Sequence, residues 1–215
     1  MRDGQDLKQS LHNGTSERRR QPAQQRSRER LERILVVAST LIASKGSDQV
    51  TMSEIAELAE ISIGSLYQYF PDKRSVIRSL AETHAEECHR CIEEAFADVH
   101  DKTGLLAAFS TLVDQYYRIL LNNPVMRDVS YAMRADKELA AVELAQSRSS
   151  AALLAAAIQR VFAGANRKKL GVSSFLIWQL GEEALRLALA HEPREAAILI
   201  GTYKRMSLQA IANPE

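Results

Sequence analysis

The chain has 215 residues, of which 46% are hydrophobic and 26% charged, and its formal net charge is +1. This composition is typical of a globular protein and excludes a wholly disordered chain. Two cysteines are too few for a disulfide-stapled secreted scaffold. No apolar run approaches the roughly 20 residues of a membrane span, and no apolar leader follows Met1. We therefore expect a cytoplasmic protein without a membrane partner.

The first segment, residues 1–26, is polar and is predicted to form a disordered basic arm. Seven arginines and three glutamates lie within residues 16–33, and Arg18, Arg19 and Arg20 are consecutive. Such a run is either a solvated tail or an arm that binds nucleic acid. The composition alone favours neither.

Apolar residues at helical spacing predict a first helix over residues 28–45. Gly46 then ends this helix, because glycine adopts the left-handed conformation without strain. Thr51 and Glu54 have the spacing of a capping box, which predicts the start of a second, short helix.

A third short helix is predicted over residues 63–70, with Ser62 as its N-cap. Pro71 and Asp72 end this helix and open the next one. Two such short helices are unstable alone, and the three residues between them favour a helix-turn-helix that binds DNA. The alternative is the outer face of an ordinary three-helix domain.

The third helix is predicted to direct Ile63, Leu66 and Phe70 inward, with Tyr67 at the edge. The opposite face has no charge that repels phosphate, and its amide and hydroxyl groups can reach base edges. The residues of that face are Gly64, Ser65, Gln68 and Tyr69.

The segment 63–73, IGSLYQYFPDK, resembles the TetR family of bacterial transcriptional regulators, as do the pairs at 55–56 and 61–62. The resemblance covers residues 27–87, the expected DNA-binding domain, and implies that residues 88–215 bind an effector and dimerise. Glu60 departs from the family pattern, which usually has glycine in this turn. A non-glycine residue at positive φ costs free energy, so either the turn adapts or its local stability falls. A helical interaction module that has lost DNA binding is therefore an alternative.

The resemblance implies a ligand-responsive repressor that binds a palindromic operator in double-stranded DNA as a homodimer. It places Thr51 and Ser53 at phosphate contacts, and Tyr67 and Lys73 at the family's phosphate anchors. The recognition-helix positions that it implies are Ser62, Ile63, Gly64, Ser65, Gln68 and Tyr69. An enzyme is a further alternative, but the sequence has no phosphate loop or nucleophile motif, and we expect no cofactor.

The remaining sequence continues the helical pattern. After Lys73 we predict a long helix to about residue 100. The further predicted helices span residues 104–122, 124–135, 136–163, 173–190 and 194–212. The chain is therefore predicted to be all-α with about nine helices, the number typical of the resembled family.

The resemblance implies an effector pocket among the middle helices. Its candidate residues are His84, Cys88, Phe109, Tyr116, Met126, Tyr131, Phe162 and Trp178. Arg134 or His84 is the candidate for orienting a polar group of the ligand. Aromatic and methionine residues at helical spacing are also what an ordinary core contains, so that alternative stays open.

The last two predicted helices carry apolar stripes that the resemblance assigns to a four-helix bundle formed by two chains. The stripe residues are Leu176, Leu180, Ala184, Leu187, Leu199, Tyr203 and Met206. Gly181 and Gly201 are expected to let helices approach closely. The alternative is a hairpin core within one chain.

His84, Cys88 and Cys91 follow nearly one line along the fourth predicted helix. Imidazole and thiol ligands on one face bind zinc or copper, and paired thiols sense oxidants. Buried cysteines also serve as small apolar residues, and we expect no metal at this position.

Overall fold

The computed structural model describes residues 6–214, with side chains from residue 24 onward, so Arg18, Arg19 and Arg20 lie outside the described side chains. Within this range the chain forms nine helices and no strand, which confirms the predicted all-α class. The helices are α1 (Asp6–Lys45), α2 (Met52–Leu58), α3 (Ile63–Tyr69), α4 (Lys73–Ala97), α5 (Lys102–Asn122), α6 (Pro124–Ala135), α7 (Lys137–Val161), α8 (Arg167–Leu189) and α9 (Pro193–Ala212). None of the described helices is long and apolar enough to cross a membrane.

The described chain divides into two compact units after Val76, inside α4. Helix α4 therefore contributes its first residues to one unit and the rest to the other. The division of the chain into residues 1–26, 27–87 and 88–215 stays a prediction. Residues 6–26 lie within α1, whereas the sequence analysis predicted a disordered arm there.

Side-chain caps start the short helices of the first unit as the sequence predicted. The Thr51 hydroxyl accepts a hydrogen bond from the Glu54 amide at 3.3 Å, and the Glu54 carboxylate accepts one from the Thr51 amide at 3.0 Å. Ser62 Oγ accepts from the Ser65 amide at 3.1 Å. Gly46 has a φ of 84°, so it ends α1 in the left-handed conformation.

The first unit buries one apolar face of each of its three helices. Helix α1 contributes Ile34 and Ala38, and neither is exposed. Ile55 and Ala56 of α2 and Leu66 of α3 pack in the same unit, each at most 3% exposed. Burying such side chains contributes about 1.5–3 kcal/mol for each large aliphatic one, which offsets the weakness of the short helices.

Helix α8 begins earlier than the sequence pattern indicated. We predicted a start at residue 173, but the helix starts at Arg167. The reason is an N-cap at Asn166, whose side chain accepts from the amides of Lys168 and Lys169 at 3.0 and 3.2 Å. The first turn of α8 is polar, so it carries no apolar periodicity that reveals a helix.

The core of the second unit contains a tyrosine that we expected at the dimer interface. Tyr203 is 8% exposed, and its ring lies 6.4 Å from the ring of Phe109. Its hydroxyl donates to the Ile177 carbonyl at 2.9 Å. A Cβ at Gly181 would lie 2.5 Å from this hydroxyl, so only glycine leaves room for it. The assignment of Tyr203 to the dimer stripe is therefore wrong.

One ion pair in the first unit predicts a response to acid. The pKa of Glu54 is lowered from 4.5 to about 2 by the hydrogen bond from Lys45, then by those from Thr51. Because the folded pKa is the lower one, this interaction stabilises the fold above about pH 4.5 and is lost as the pH falls towards 2. Glu54→Gln should lower the free energy of unfolding of the full chain at pH 7. The difference between wild type and variant should be smaller at pH 3.

Urea titration followed by circular dichroism measures this difference. Glu57→Gln is the matched control, since Glu57 is an exposed glutamate of the same helix. A deficit of Glu54→Gln that is the same at both pH values would contradict the assignment.

Candidate DNA-binding surface and ligand cavity

The outer face of α3 is polar and accessible. Ser62, Gly64 and Gln68 are exposed, and no atom lies within 4 Å of a Cβ built on Gly64. Ile63 is 41% exposed, so it belongs to this surface. The helical periodicity predicted instead that Ile63 would face the core. Tyr67 is 50% exposed. This surface presents amide, hydroxyl and backbone groups without a charge.

Two members of the surface are engaged with their own chain. Tyr69 is half-buried, and its hydroxyl lies 3.2 Å from Ser27 Oγ of α1. Ser65 is half-buried, and its hydroxyl accepts from Ser62 Oγ at 2.9 Å. These contacts hold α3 in place, and they leave Gln68 as the exposed amide best placed to reach a base edge.

Lys73 has a structural contact that sequence reasoning missed. Its ammonium donates to the carbonyls of Ser47 and Asp48 at 3.0 Å each, which ties the start of α4 to the turn after α1. An ammonium has three N–H groups, so one remains for a phosphate. Thr51 and Ser53, the other expected phosphate contacts, are both exposed at the start of α2.

The two expected phosphate anchors, Tyr67 and Lys73, differ in their contacts within the chain, so substitutions at them should have different effects. Tyr67→Phe should weaken binding to operator and random duplex alike, because phosphate contacts carry no sequence information, and should leave folding unchanged. Lys73→Ala should also lower stability, by about 1.5–3 kcal/mol, because it removes hydrogen bonds from a charged donor. Fluorescence anisotropy on both duplexes and urea titration measure these effects. Unchanged DNA affinity in Tyr67→Phe would exclude that residue from the interface.

Gln68→Ala should relax specificity at a single base pair by about 1–3 kcal/mol, since a glutamine amide pairs with adenine through two hydrogen bonds. The measurement is anisotropy on a series of duplexes that vary one position at a time. Tyr67→Phe is the control, because it should weaken all of these duplexes equally. If Gln68→Ala ranks the duplexes as wild type does, the assignment of this face is wrong.

The second unit contains a partly open cavity of about 320 Å³. Seven of the eight predicted residues line it: His84, Cys88, Phe109, Tyr116, Met126, Tyr131 and Trp178. Phe162 does not. It is the C-cap of α7 and packs half-buried against the hydrophobic core, because α7 reaches the cavity only with earlier residues such as Glu143 and Ser147.

A cluster of charged side chains forms one part of the cavity wall. The Arg134 guanidinium donates to Glu143 at 3.1 Å and to Glu183 at 3.4 Å, and lies 3.7 Å from Glu182. Arg186 donates to Glu183 at 2.9 Å. We call these five residues the Arg134 cluster. Sequence reasoning singled out Arg134 but missed its carboxylate partners, which lie up to 49 residues away along the chain.

Glu182 is held by neutral donors as well as by Arg134. Its carboxylate accepts from Ser147 Oγ at 2.7 Å, Trp178 Nε1 at 3.0 Å and Gln179 Nε2 at 2.9 Å. Burial raises the pKa of Glu182, and the charge of Glu143 raises it further against the opposing hydrogen bonds. The spacing of Trp178 and Glu182, four residues apart on α8, is the signal that sequence reasoning overlooked.

His84 presents unpaired polar atoms at the cavity. Both of its ring nitrogens are buried without a hydrogen-bond partner, and the nearest carboxylate oxygen, of Glu87, is 3.8 Å from Nδ1. Burial lowers the pKa of His84, which favours the neutral imidazole. A buried polar group without a partner costs about 1–3 kcal/mol. A ligand that bonds to it would recover that cost.

The two cysteines differ in their surroundings. Burial raises the pKa of Cys88 to about 11, with a further contribution from Cys91, so Cys88 is held as a thiol. Cys91 is exposed. Metal binding and oxidant sensing both need the thiolate, which the surroundings of Cys88 disfavour. Among the described residues no group of three or more His, Cys, Asp or Glu side chains could hold a metal ion.

The predicted stripes on α8 and α9 lie largely on an open apolar face. Leu176 and Leu180 are each 55% exposed, Leu187 is 36% exposed and Met206 is 59% exposed. Ala184 and Leu199 are half-buried. Two residues that we did not include, Val172 and Ile198, are 58% and 68% exposed. We call these eight residues the α8–α9 face.

Family comparison agrees with this architecture. The model of the family described as bacterial regulatory proteins, tetR family, matches residues 34–80. The model described as tetracyclin repressor-like, C-terminal domain, matches residues 103–214, more than half of the chain. The first match lies mostly in the first unit, and the second match lies within the second unit.

Curated relatives match over part of the chain. An uncharacterised helix-turn-helix-type transcriptional regulator of Mycobacterium tuberculosis is 31% identical over 83 residues, which are 39% of this chain and 42% of that protein. HbdR of Aromatoleum, a regulator of the same type, is 30% identical over 90 residues, which are 40% of this chain and 39% of that protein. The chain thus spans about two fifths of the length of these relatives.

Solved structures share the fold at low identity. A TetR-family regulator from Streptomyces coelicolor has a TM-score of 0.65 and 21% identity, over 85% of this chain and 96% of that chain. One from Mesorhizobium loti has a TM-score of 0.67 and 19% identity, over 86% and 96%. RolR in complex with resorcinol has a TM-score of 0.62 and 19% identity, over 89% and 96%.

The capped pair of short helices and the family match together define the class of helix-turn-helix transcription regulators. The chain belongs to the TetR family of bacterial transcriptional regulators.

Proposed function

We propose that this regulator is a repressor that binds a palindromic operator as a dimer and leaves it when a small molecule occupies the cavity. The observation that carries the proposal is helix α4. One continuous helix bears Lys73 at its start and presents His84 and Cys88 to the cavity.

The DNA-binding part of the proposal rests on the face of α3. Gln68 and Tyr67 are exposed on it, and Gly64 allows the backbone to approach DNA closely. A two-fold dimer would present two such helices to two half-sites, which is why a palindromic operator is expected.

The dimer rests on the α8–α9 face. Exposed leucines at intervals of about one helical turn are costly in water, and a second copy of the face would bury them. Gly201 of α9 is exposed with no atom within 4 Å of a Cβ built on it, so a partner helix can approach there. This arrangement gives a four-helix bundle from two chains.

The effector part rests on the cavity of about 320 Å³, a size within the usual range for small-molecule sites. Most of its walls are apolar, with polar groups at His84 and at the Arg134 cluster. One structural neighbour, RolR, is a complex with resorcinol, which supports a small organic molecule as the class of effector.

Helix α4 supplies the proposed coupling. It runs from Lys73 to Ala97 without proline or glycine, so a displacement near Cys88 is transmitted along it as a rigid body. Such a movement would change the spacing of the two recognition helices in the dimer. A coupling of about 1–3 kcal/mol changes operator affinity by roughly 5- to 150-fold.

A genome-wide binding map, with transcript levels in a strain that lacks the protein, tests the function. The bound sites should contain inverted repeats, and transcripts next to them should rise when the protein is absent. Sites without two-fold symmetry would contradict the dimeric mode of binding. Transcripts that fall would show an activator.

Leu180→Arg should abolish operator binding, because it buries an unpaired charge in the proposed bundle and yields monomers or insoluble protein. Sedimentation and anisotropy measure assembly and binding on the same samples. Leu144→Arg is the matched control, since Leu144 is 43% exposed on α7, outside the α8–α9 face. A wild-type chain that is monomeric at micromolar concentration would overturn the dimer.

A further inference from the structure

The charges around the cavity do not balance. Three carboxylates line it, those of Glu87, Glu143 and Glu182, and Glu183 is bonded to the same cluster. Three guanidiniums line it, those of Arg127, Arg134 and Arg186. His84 is favoured in its neutral form, because burial lowers its pKa. The cavity and its cluster therefore contain four carboxylates and three guanidiniums, one more negative group than positive.

The excess of negative charge lies at Glu143 and Glu182. Arg186 pairs with Glu183 at 2.9 Å, which compensates one carboxylate of the Arg134 cluster. Arg134 is shared among Glu143 at 3.1 Å, Glu183 at 3.4 Å and Glu182 at 3.7 Å. One guanidinium cannot neutralise two carboxylates. A second positive charge beside this pair would compensate for the second carboxylate.

Glu182 is also held in one orientation. The donors Ser147, Trp178 and Gln179 lie within 3.0 Å of its oxygens and carry no charge of their own. Its side chain retains 21% of its accessible surface. Glu182 is thus held in one orientation, and because burial raises its pKa, a cation beside it would stabilise its charged form at a wall of the cavity that a ligand can reach.

The rest of the wall suits an apolar body. Phe109, Leu112, Val113, Met126, Val129 and Met133 line the cavity. Tyr116 and Trp178 add aromatic rings, which attract cations through their π-electrons. The combination of apolar walls, aromatic rings and two carboxylates that share one guanidinium matches one kind of ligand.

We propose that the cavity binds an organic monocation, an apolar molecule that carries one amine or quaternary ammonium group beside Glu143 and Glu182. This inference rests on the proposed function in taking the cavity as the effector site. The unpaired nitrogens of His84 would suit a neutral hydroxyl compound instead, and the experiment below includes that outcome.

Trp178 makes the test direct. It is the only tryptophan of the chain, it lines the cavity, and its indole N–H donates to Glu182. Its fluorescence therefore reports occupation of the cavity without DNA. The probes are 4-phenylbutylamine, 4-phenylbutan-1-ol and 4-phenylbutyrate, which share one apolar body and differ in charge.

The amine should bind about tenfold more tightly than the alcohol, and the carboxylate more weakly than both, since charge-assisted hydrogen bonds are stronger than neutral ones. An alcohol or carboxylate that binds as tightly as the amine would overturn the proposal. Absence of amine binding at millimolar concentration would also overturn it.

Single substitutions test which carboxylates bind the ammonium group. Glu182→Gln should lower amine affinity about tenfold and leave alcohol affinity unchanged. Glu143→Gln should do the same, and it decides the question if Glu182→Gln does not fold. Glu86→Gln, which removes an exposed carboxylate of α4 outside the cavity, should keep the wild-type preference. Equal loss of amine affinity in Glu86→Gln would contradict a local site.

Operator binding in the presence of each probe separates this inference from the proposed function. If the amine binds at Trp178 and operator affinity does not change, the ligand class stands and the proposed ligand control fails. If the alcohol or the carboxylate alone releases the operator, the ligand control stands and the cationic ligand is wrong.

Discussion

Helices of seven residues are too short to be stable alone, and the proposed DNA-binding surface consists of two of them, α2 and α3. Their position depends on the caps at Thr51 and Ser62 and on the apolar core beneath them. Lys73 and Tyr69 add hydrogen bonds to the turn after α1 and to α1 itself. The exposed polar groups of α3 therefore depend on these caps, the core and the hydrogen bonds to α1 for their position.

The turn between these helices shows how the fold accommodates an unfavourable residue. Glu60 has a φ of 54°, the one positive value at a non-glycine residue in the described chain. Its amide bonds to the Glu57 carbonyl at 3.1 Å, and the Ile61 amide bonds to the Ala56 carbonyl at 3.0 Å. These bonds offset a strain of about 1–2 kcal/mol. The departure at Glu60 thus leaves the helix-turn-helix geometry intact.

The local features of the fold could be predicted from sequence, because they depend on neighbouring residues. The capping box, the Ser62 cap and the proline-bounded helix α6 are of this kind. Contacts between distant segments could not be predicted. An apolar stripe on a helix indicates that a face is to be buried but not which element covers it. The sequence therefore placed Tyr203 against a partner chain, whereas Gly181 leaves room for its side chain within the same chain.

The same reason explains the cavity. Its aromatic residues stood out in the sequence, but the pairing of Arg134 with Glu182 and Glu183 depends on how α6 packs in the second unit. Charged residues spaced along helices usually indicate a solvated surface. Only the packing of α6, α7 and α8 places these charges together and leaves one carboxylate in excess.

The central claim is that the cavity and the operator-binding surface are coupled, and Trp178 tests this without any ligand. Linkage requires that if ligand binding alters operator affinity, operator binding alters the cavity. The measurement is Trp178 emission and its quenching by acrylamide in the free protein, with operator and with random duplex. The account predicts a change with operator that random duplex does not reproduce. Identical emission and quenching in the free and operator-bound protein would contradict it.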